Sequence, residues 1–411
     1  MMYGILQSRL KLQYSNVLEF LCVVVPMILA CTLYSSSLMT LYGAMIATST
    51  CFIFLKKTPR ETKSKTKATA YVSWFRATVL LFTCICILAV DFQVFPRRFG
   101  KCEDMGTGLM DIGVGSFVFS SALLSRASRG KKNLSILLTP SRMKRLGQLL
   151  TLGFLRLAVH SGIQYQHNAS EYGTHWNFFF TLASLMILTS LLPVTKYSLP
   201  LGVTLLVSYE YFLTGLNGSN YILDAPRVDL LSSNREGILG ALGFMGIYCC
   251  TVSIGSRYVW QVYTIEKKRR HLNVVRELFA LSAALWVTYV FCDRFVSSAS
   301  RRMVNLTYAM WILAQNVFML GLFASVQHLL SLTRSGVPKS PTIEGLSRNT
   351  LSVFLISNLA TGLVNLSMNT IEASDHTGFL VVSTYMAFVF TAASYITVAT
   401  AASSGKEQKV A

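Results

Sequence analysis

Apolar runs of about 20 residues recur along the whole chain, and no other feature of the sequence limits the possible folds so strongly. Runs of this length cross the hydrocarbon core of a bilayer as helices. Hydrophobic residues make up 52% of the chain and charged residues 13%, whereas an ordinary soluble domain is about 25% charged. We therefore predict an all-α, polytopic integral membrane protein without a sizeable soluble domain.

Twelve segments of the sequence are predicted to span the membrane, and together they form a single transmembrane domain over residues 1–411. Ser35 and Ser36 alone separate the first two segments, which indicates a tight helical hairpin. The predicted spans are residues 17–34, 37–55, 71–90, 110–125, 146–164, 176–193, 199–213, 237–256, 275–292, 304–330, 349–366 and 378–400.

The distribution of basic residues predicts the orientation of the chain. If the N-terminus is cytoplasmic and every span crosses once, 27 Lys and Arg residues fall on the cytoplasmic side and 8 on the opposite side. Short cytoplasmic loops collect Lys and Arg by the positive-inside rule, so we expect both termini in the cytoplasm. The same rule explains the formal net charge of +19 without nucleic acid, and no nucleic-acid-binding motif accompanies the basic runs. We expect no nucleic-acid partner.

Mixed polar residues gather at the other side of the membrane, which this orientation assigns to the lumen. Acids, bases and amides occur together in residues 91–111, 160–175, 224–236, 293–302 and 372–376. Cytoplasmic loops carry mostly repeated Lys and Arg. Charged side chains next to hydrocarbon are costly and usually functional. We therefore predict a luminal site that is assembled from the ends of several helices.

Several reaction classes lack their sequence signatures. The chain contains no G-x-S-x-G elbow, H-E-x-x-H helix, phosphate-binding P-loop or zinc spacing. Most of the nine cysteines lie in apolar runs, where they pack as small hydrophobes; a bridge between Cys102 and Cys292 stays open. We expect no metal and no permanently bound cofactor. Direct group transfer, with a base and a cation from the protein, remains possible.

Some polar residues at span ends also have simpler interpretations as membrane-edge or helix-end residues. Gly106, Gly108, Gly113 and Gly115 are too loosely spaced for a phosphate loop and favour close helix packing. The simpler interpretations are Asp91 as a helix cap, Arg97 and Arg98 as interfacial anchors, His175 and Trp176 as an aromatic-belt pair, and Asn234 and Glu236 as a helix start.

Six blocks of sequence resemble a known family. They are AVDFQVFPRRFGKCED with LMDIGVGSFVFS after it, EYGTHWNFFFTLA (171–183), SSNREGILGALGF (232–244), SRRMVNLTYAMW (300–311) and NLATGLVNLSMNT (358–370). In this order they resemble the inositol acyltransferases of glycosylphosphatidylinositol (GPI) anchor synthesis, the PIG-W type. The chain departs from that pattern at Gly100, Cys102 and Gly108, and with twelve predicted spans we expect it to be without the additional first span of many family members.

The resemblance implies an enzyme of the endoplasmic reticulum membrane that uses acyl-CoA as co-substrate. Its reaction would transfer a long acyl chain, typically palmitoyl, to the inositol 2-hydroxyl of glucosaminyl-phosphatidylinositol. Asp91 matches the family's membrane-edge aspartate, and Lys101 matches the lysine ten residues on. Asp91 would then be the base and Lys101 the orienting or oxyanion-stabilising cation. His175 is a reserve base, because imidazole exchanges protons near neutral pH.

Further residues of these blocks are candidates for substrate binding. Guanidinium groups pair well with phosphate, so the arginines would hold CoA or lipid phosphates. Two other functions stay open: a polytopic transporter of lipids or small molecules, and a non-catalytic subunit of a GPI-synthesis complex. The candidate binding residues are Arg97, Arg98, Glu103, Asp111, Trp176, Asn177, Asn234, Arg235, Glu236, Arg301 and Arg302.

Overall fold

The computed structural model describes residues 16–55, 70–130, 139–162, 171–192, 194, 197–260, 271–332 and 340–410, and these residues contain helices and turns but no strand. The helices, in chain order, are α1 (Asn16–Cys31), α2 (Leu38–Leu55), α3 (Ala70–Ala89), α4 (Ile112–Leu123), α5 (Pro140–Gly162), α6 (Phe178–Leu191), α7 (Ser198–Gly215), α8 (Gly218–Leu223), α9 (Leu230–Ser233), α10 (Arg235–Ile254), α11 (His271–Phe295), α12 (Leu306–Leu332), α13 (Pro341–Arg348), α14 (Thr350–Ser367) and α15 (Asp375–Val410).

Six of the described helices are long and apolar enough to cross a membrane: α3, α10 with the π-helical turn after it, α11, α12, α14 and α15. Four shorter apolar helices lie in α1, α2, α4 and α6. The protein is therefore an all-helical, polytopic membrane protein, as the apolar runs predict. Each predicted span overlaps one described helix. The count of twelve crossings stays a prediction, because α5 begins in a basic segment and α7 is less apolar than the six.

The chain divides into two compact units, of which the first comprises Met1–Gly100 and Leu322–Ala411. Its centre is α3, whose apolar face is fully buried at Phe75, Leu80 and Leu88. Helices α13, α14 and α15 all pack against α3. The Tyr385 hydroxyl on α15 donates to the carbonyl oxygen of Cys84 at 3.1 Å, which satisfies a polar group inside this apolar contact.

The second unit comprises Lys101–Gly321. Helix α10 is its centre and packs against α4, α6 and α7. The predicted glycine packing is confirmed at Gly115 on α4, where an added Cβ would lie 2.7 Å from Ile312. Gly106 serves a different purpose: its φ of +125° is a turn conformation that favours glycine.

Two details of the second unit correct or complete what the sequence predicts. Residues 214–236, which are rich in Gly, Asn and Ser, predict an irregular loop, but they contain the short helices α8 and α9. Cys102 and Cys292, for which a bridge stayed open, are both free thiols in the structure.

Candidate functional site

Asp91 lies in the turn that ends α3, where its backbone N–H still bonds the Leu88 carbonyl at 3.1 Å. Its side chain is partly exposed. The Oδ2 atom of Asp91 accepts a hydrogen bond from the Asn365 side-chain amide at 2.8 Å. The other polar atom of that amide, Oδ1 of Asn365, is buried and has no hydrogen-bond partner within the described part of the chain. The predicted base is thus oriented by α14.

Arg97 and Arg98 form a short 3-10 turn after Pro96, and both side chains are exposed. Arg97 donates to the Val90 carbonyl at 3.0 Å, and Arg98 donates to the Ser35 carbonyl at 2.9 Å. The Arg98 guanidinium also lies 5.0 Å from the centre of the Phe99 ring. These contacts brace the backbone around Asp91 and agree with the interpretation of both arginines as anchors at a span end.

A buried ion pair organises the second unit. Asp111 is 0% exposed, and its Oδ1 lies 2.8 Å from Nε of Arg301. The Oδ2 atom accepts the backbone N–H groups of Cys102 at 3.1 Å and Gly108 at 2.8 Å. A buried carboxylate is tolerable only when it is paired and hydrogen-bonded in this way. Asp111 therefore fixes the loop that follows Lys101.

Glu171 connects this ion pair to Lys101. Its Oε1 lies 2.6 Å from Nζ of Lys101 and 3.5 Å from Nη1 of Arg301. Burial alone would raise the pKa of Glu171, but the charges of Lys101 and Arg301 hold this pKa below its ordinary value. Burial alone would lower the pKa of Arg301. The neighbouring groups, Glu171 and Asp111 among them, instead raise this pKa above its ordinary value. Glu171 and Arg301 are therefore both ionised at neutral pH.

A second ionic cluster surrounds Glu236 at the start of α10. Glu236 is buried and pairs with Arg227 and Arg302. Arg302 also pairs with Asp104, whose Oδ1 lies 2.6 Å from Nη1. The Nε atom of Arg302 is buried without a hydrogen-bond partner among the described residues. Arg235 instead donates to the Ile222 carbonyl at 3.0 Å, so its guanidinium group supports the backbone around α8.

The block EYGTHWNFFFTLA runs beside the start of α10. The backbone N–H of His175 donates to Oδ1 of Asn234 at 2.8 Å, and the side chain of His175 is exposed. Asn234 thus occupies the cap position of α10 without capping it, because its oxygen serves His175 instead. Asn177 caps α6 through Phe179 and Phe180. The Trp176 indole donates to Thr181 at 3.0 Å. These contacts give Trp176, Asn177 and Asn234 structural functions.

A cleft with an empty volume of about 270 Å³, open mouth included, lies between these groups in the second unit. Its polar lining residues are two glutamates, two arginines, a tyrosine and a threonine, and the other lining residues are apolar. Carboxylate and guanidinium groups recognise polar and charged headgroups. Within the described ranges, no group of three or more His, Cys, Asp or Glu residues is arranged to hold a metal ion. The lining residues are Val114, Glu171, Tyr172, Thr181, Glu236, Gly237, Phe244, Arg301, Arg302 and Val304.

The predicted residues are thus divided between the two units. Asp91, Arg97 and Arg98 belong to the first, and the others belong to the second, where Lys101, Asp111 and Arg301 form one network. Glu103 is exposed. The sequence interpretation missed Glu171, Asp104, Arg227 and Asn365. Two of them could have been found, because Glu171 opens the block EYGTHW and Asn365 lies within NLATGLVNLSMNT.

Comparison with known proteins gives matches along nearly the whole chain. The GWT1 family model matches residues 1–396. The GPI-anchored wall transfer protein 1 of Yarrowia lipolytica is 35% identical over 81% of this chain and 73% of the relative. The phosphatidylinositol-glycan biosynthesis class W protein of Dictyostelium discoideum is 33% identical over 92% of this chain and 85% of the relative. An uncharacterized protein of Arabidopsis thaliana is 37% identical over 90% of this chain and 83% of the relative. The chain therefore belongs to the GWT1 family.

Proposed function

We propose that this protein acts in GPI-anchor biosynthesis as an inositol acyltransferase of the endoplasmic reticulum membrane. It would transfer a long acyl chain, typically palmitoyl, from acyl-CoA to the inositol 2-hydroxyl of glucosaminyl-phosphatidylinositol. Family membership supports the pathway, because the relatives are named for GPI-anchored wall transfer and phosphatidylinositol-glycan biosynthesis. The observation that carries the chemistry is Asp91, a carboxylate at the end of an apolar helix that is oriented by Asn365.

The reaction requires only a base, a nucleophile and an activated acyl group. The inositol hydroxyl oxygen attacks the thioester carbonyl carbon, while the Asp91 carboxylate accepts the hydroxyl proton. The tetrahedral intermediate then expels the CoA thiolate, which takes up a proton, and the acyl group remains on the inositol oxygen. A positioned base of this kind contributes about 10²–10⁴ in rate. No covalent acyl-enzyme is needed.

Lys101 would supply the positive charge for the oxyanion that forms in this step. The Lys101 side chain is 40% exposed, and Oε1 of Glu171 lies 2.6 Å from its Nζ, so the charge is oriented and still reachable. One positioned donor of this type contributes about 10²–10³ in rate. Nine residues separate Lys101 from Asp91, and they include Pro96. A segment of this kind forms a loop and not one helical face.

The cleft of the second unit would hold part of the polar headgroup. Arg301 and Arg302 line this cleft, and guanidinium groups are suitable partners for phosphate oxygens. The apolar helices would accommodate the acyl chain. The orientation deduced from the basic residues would place the site toward the lumen and both termini in the cytoplasm.

The proposal is tested with protein purified in detergent from a host that lacks this activity. The protein is incubated with glucosaminyl-phosphatidylinositol and palmitoyl-CoA labelled in the acyl chain. We expect a labelled glycolipid that requires both substrates, formed about 10²–10³-fold more slowly by Lys101→Ala. A protein that binds both substrates but forms no labelled lipid would be a transporter or a non-catalytic subunit, and the proposal would be wrong.

A further inference from the structure

We propose that Glu171 is a positioning residue for Lys101, and that the buried pair of Arg301 and Asp111 holds Glu171 and the Lys101 loop in place. This inference rests on the proposed function, because it assigns a partner to the cation of that reaction. It concerns the second unit alone, where all four side chains lie.

The geometry forms a continuous chain of charges. From Lys101 Nζ, the path runs 2.6 Å to Oε1 of Glu171, and then 3.5 Å to Nη1 of Arg301. The same guanidinium group reaches Asp111 through Nε at 2.8 Å. Asp111 closes the path by accepting the backbone N–H of Cys102, the residue after Lys101, at 3.1 Å. Lys101 is therefore fixed at both ends, at its backbone by Asp111 and at its ammonium group by Glu171.

The four charged side chains become more buried from Lys101 to Asp111, as expected if the inner ones support the outer one. The Lys101 side chain is 40% exposed, Glu171 is 25% exposed, Arg301 is 8% exposed and Asp111 is 0% exposed. The two innermost groups form the anchor, because a buried ion pair with additional hydrogen bonds has one geometry. The outermost group, Lys101, is the one that a substrate can reach. Glu171 is held by this anchor and in turn restricts the position of the exposed ammonium group.

Lysine requires such a support more than arginine would. Its ammonium group is a point charge on a flexible four-carbon chain, and an exposed lysine samples many rotamers. A cation stabilises a developing oxyanion only when it is already in place. Since Arg301 provides Glu171 with a second cation, the negative charge of Glu171 is shared and does not fully neutralise Lys101.

The test measures acyl transfer by four proteins: the wild type, Glu171→Gln, Lys101→Ala and the double variant. Glu171→Gln keeps the shape of the side chain but removes its charge. We expect it to lower kcat about 10–100-fold, the effect of losing a charged hydrogen bond, while the KM for acyl-CoA stays within about threefold. In the Lys101→Ala background, the same change should alter the residual rate by less than about twofold. Glu171→Asp should restore part of kcat, and Asp224→Asn, an exposed acid in the same unit, should have wild-type kcat.

Three results would overturn the inference: wild-type kcat in Glu171→Gln, an effect confined to KM, or an equal additional loss in the Lys101→Ala background. The last result would mean that Glu171 acts through the fold and not through Lys101. If Glu171→Gln does not accumulate in membranes, Glu171→Asp replaces it in the same cycle. An inactive wild type would refute the proposed function, whereas an active wild type with an unaffected Glu171→Gln would refute this inference alone.

Discussion

Asp91 and Asp111 lie twenty residues apart, at the two ends of one polar segment, yet their surroundings differ. Asp91 is partly exposed, and it accepts a hydrogen bond from the neutral amide of Asn365. Asp111 is fully buried, and its two oxygens bind the Arg301 guanidinium and two backbone N–H groups. From the sequence, Asp91 is the predicted base and Asp111 is a candidate for substrate binding.

Under the proposed function, this difference separates a carboxylate that exchanges protons from one that supports the fold. Protonation of Asp111 would break its pair with Arg301 and leave a buried guanidinium charge without compensation, so Asp111 cannot exchange protons during turnover without disturbing the fold. Asp91 has a partly exposed side chain, so a proton can reach it. The two residues should therefore respond to substitution in opposite ways.

Asp91→Asn should have the largest effect on activity. Asparagine keeps the size of the side chain but cannot accept the hydroxyl proton, so acyl transfer should fall about 10²–10⁴-fold, with normal accumulation in membranes. His175→Ala should retain most of the activity. Asp375→Asn, another exposed aspartate of the first unit, serves as the matched control. Loss of activity in His175→Ala, with an active Asp91→Asn, would assign the base to His175.

Asp111→Asn should act on stability. Removing one partner of a buried ion pair costs about 3–5 kcal/mol, so we expect a large fall in the thermal unfolding midpoint of the detergent-solubilised protein. Asp104→Asn is the control, because Asp104 is 52% exposed where it pairs with Arg302; its loss should cost about 0–1 kcal/mol. Equal midpoints for the two variants would contradict the structural role of Asp111.

Asn365→Ala should have an intermediate effect on catalysis. Loss of the hydrogen bond to Asp91 removes the orientation of the base. Because a hydrogen bond to a charged group is worth about a factor of ten or more, kcat should fall by about that factor. A donor to the charged carboxylate also favours its ionised form, so the acid limb of the kcat profile should move to higher pH. Asn358→Ala, on the same helix, is a suitable control. An unchanged pH profile would remove Asn365 from the site.

The smallest effect concerns the pH dependence of stability. The pKa of Glu171 lies below its ordinary value of 4.5, so its ion pairs stabilise the fold above that pH and are lost as the pH falls through the lowered pKa. The unfolding midpoint of Glu171→Gln should therefore differ from that of the wild type at pH 7, and the difference should shrink as the pH falls through the lowered pKa. A difference that persists in acid would show that packing, and not charge, is responsible.

The sequence predicted the helical membrane architecture well, because the length and apolar character of a helix are local properties. It also identified Asp91, Lys101, Asp111 and Arg301 as site candidates. It could not predict that Arg301 binds Asp111, since these residues are 190 positions apart and only the packing of the second unit joins them. Asn365 lies in a recognisable block, but its pairing with Asp91 could not be predicted, because the two residues are 274 positions apart.

The most direct test of the central claim determines where the acyl group is attached. Purified protein is given palmitoyl-CoA and glucosaminyl-phosphatidylinositol labelled in the inositol, and the product is treated with a phospholipase that uses the inositol 2-hydroxyl as its nucleophile. We predict a resistant product that becomes cleavable after mild alkali removes the acyl group, and no resistant product with Asp91→Asn. A fully cleavable lipid from the wild type, or a resistant one formed at the wild-type rate by Asp91→Asn, would contradict the account.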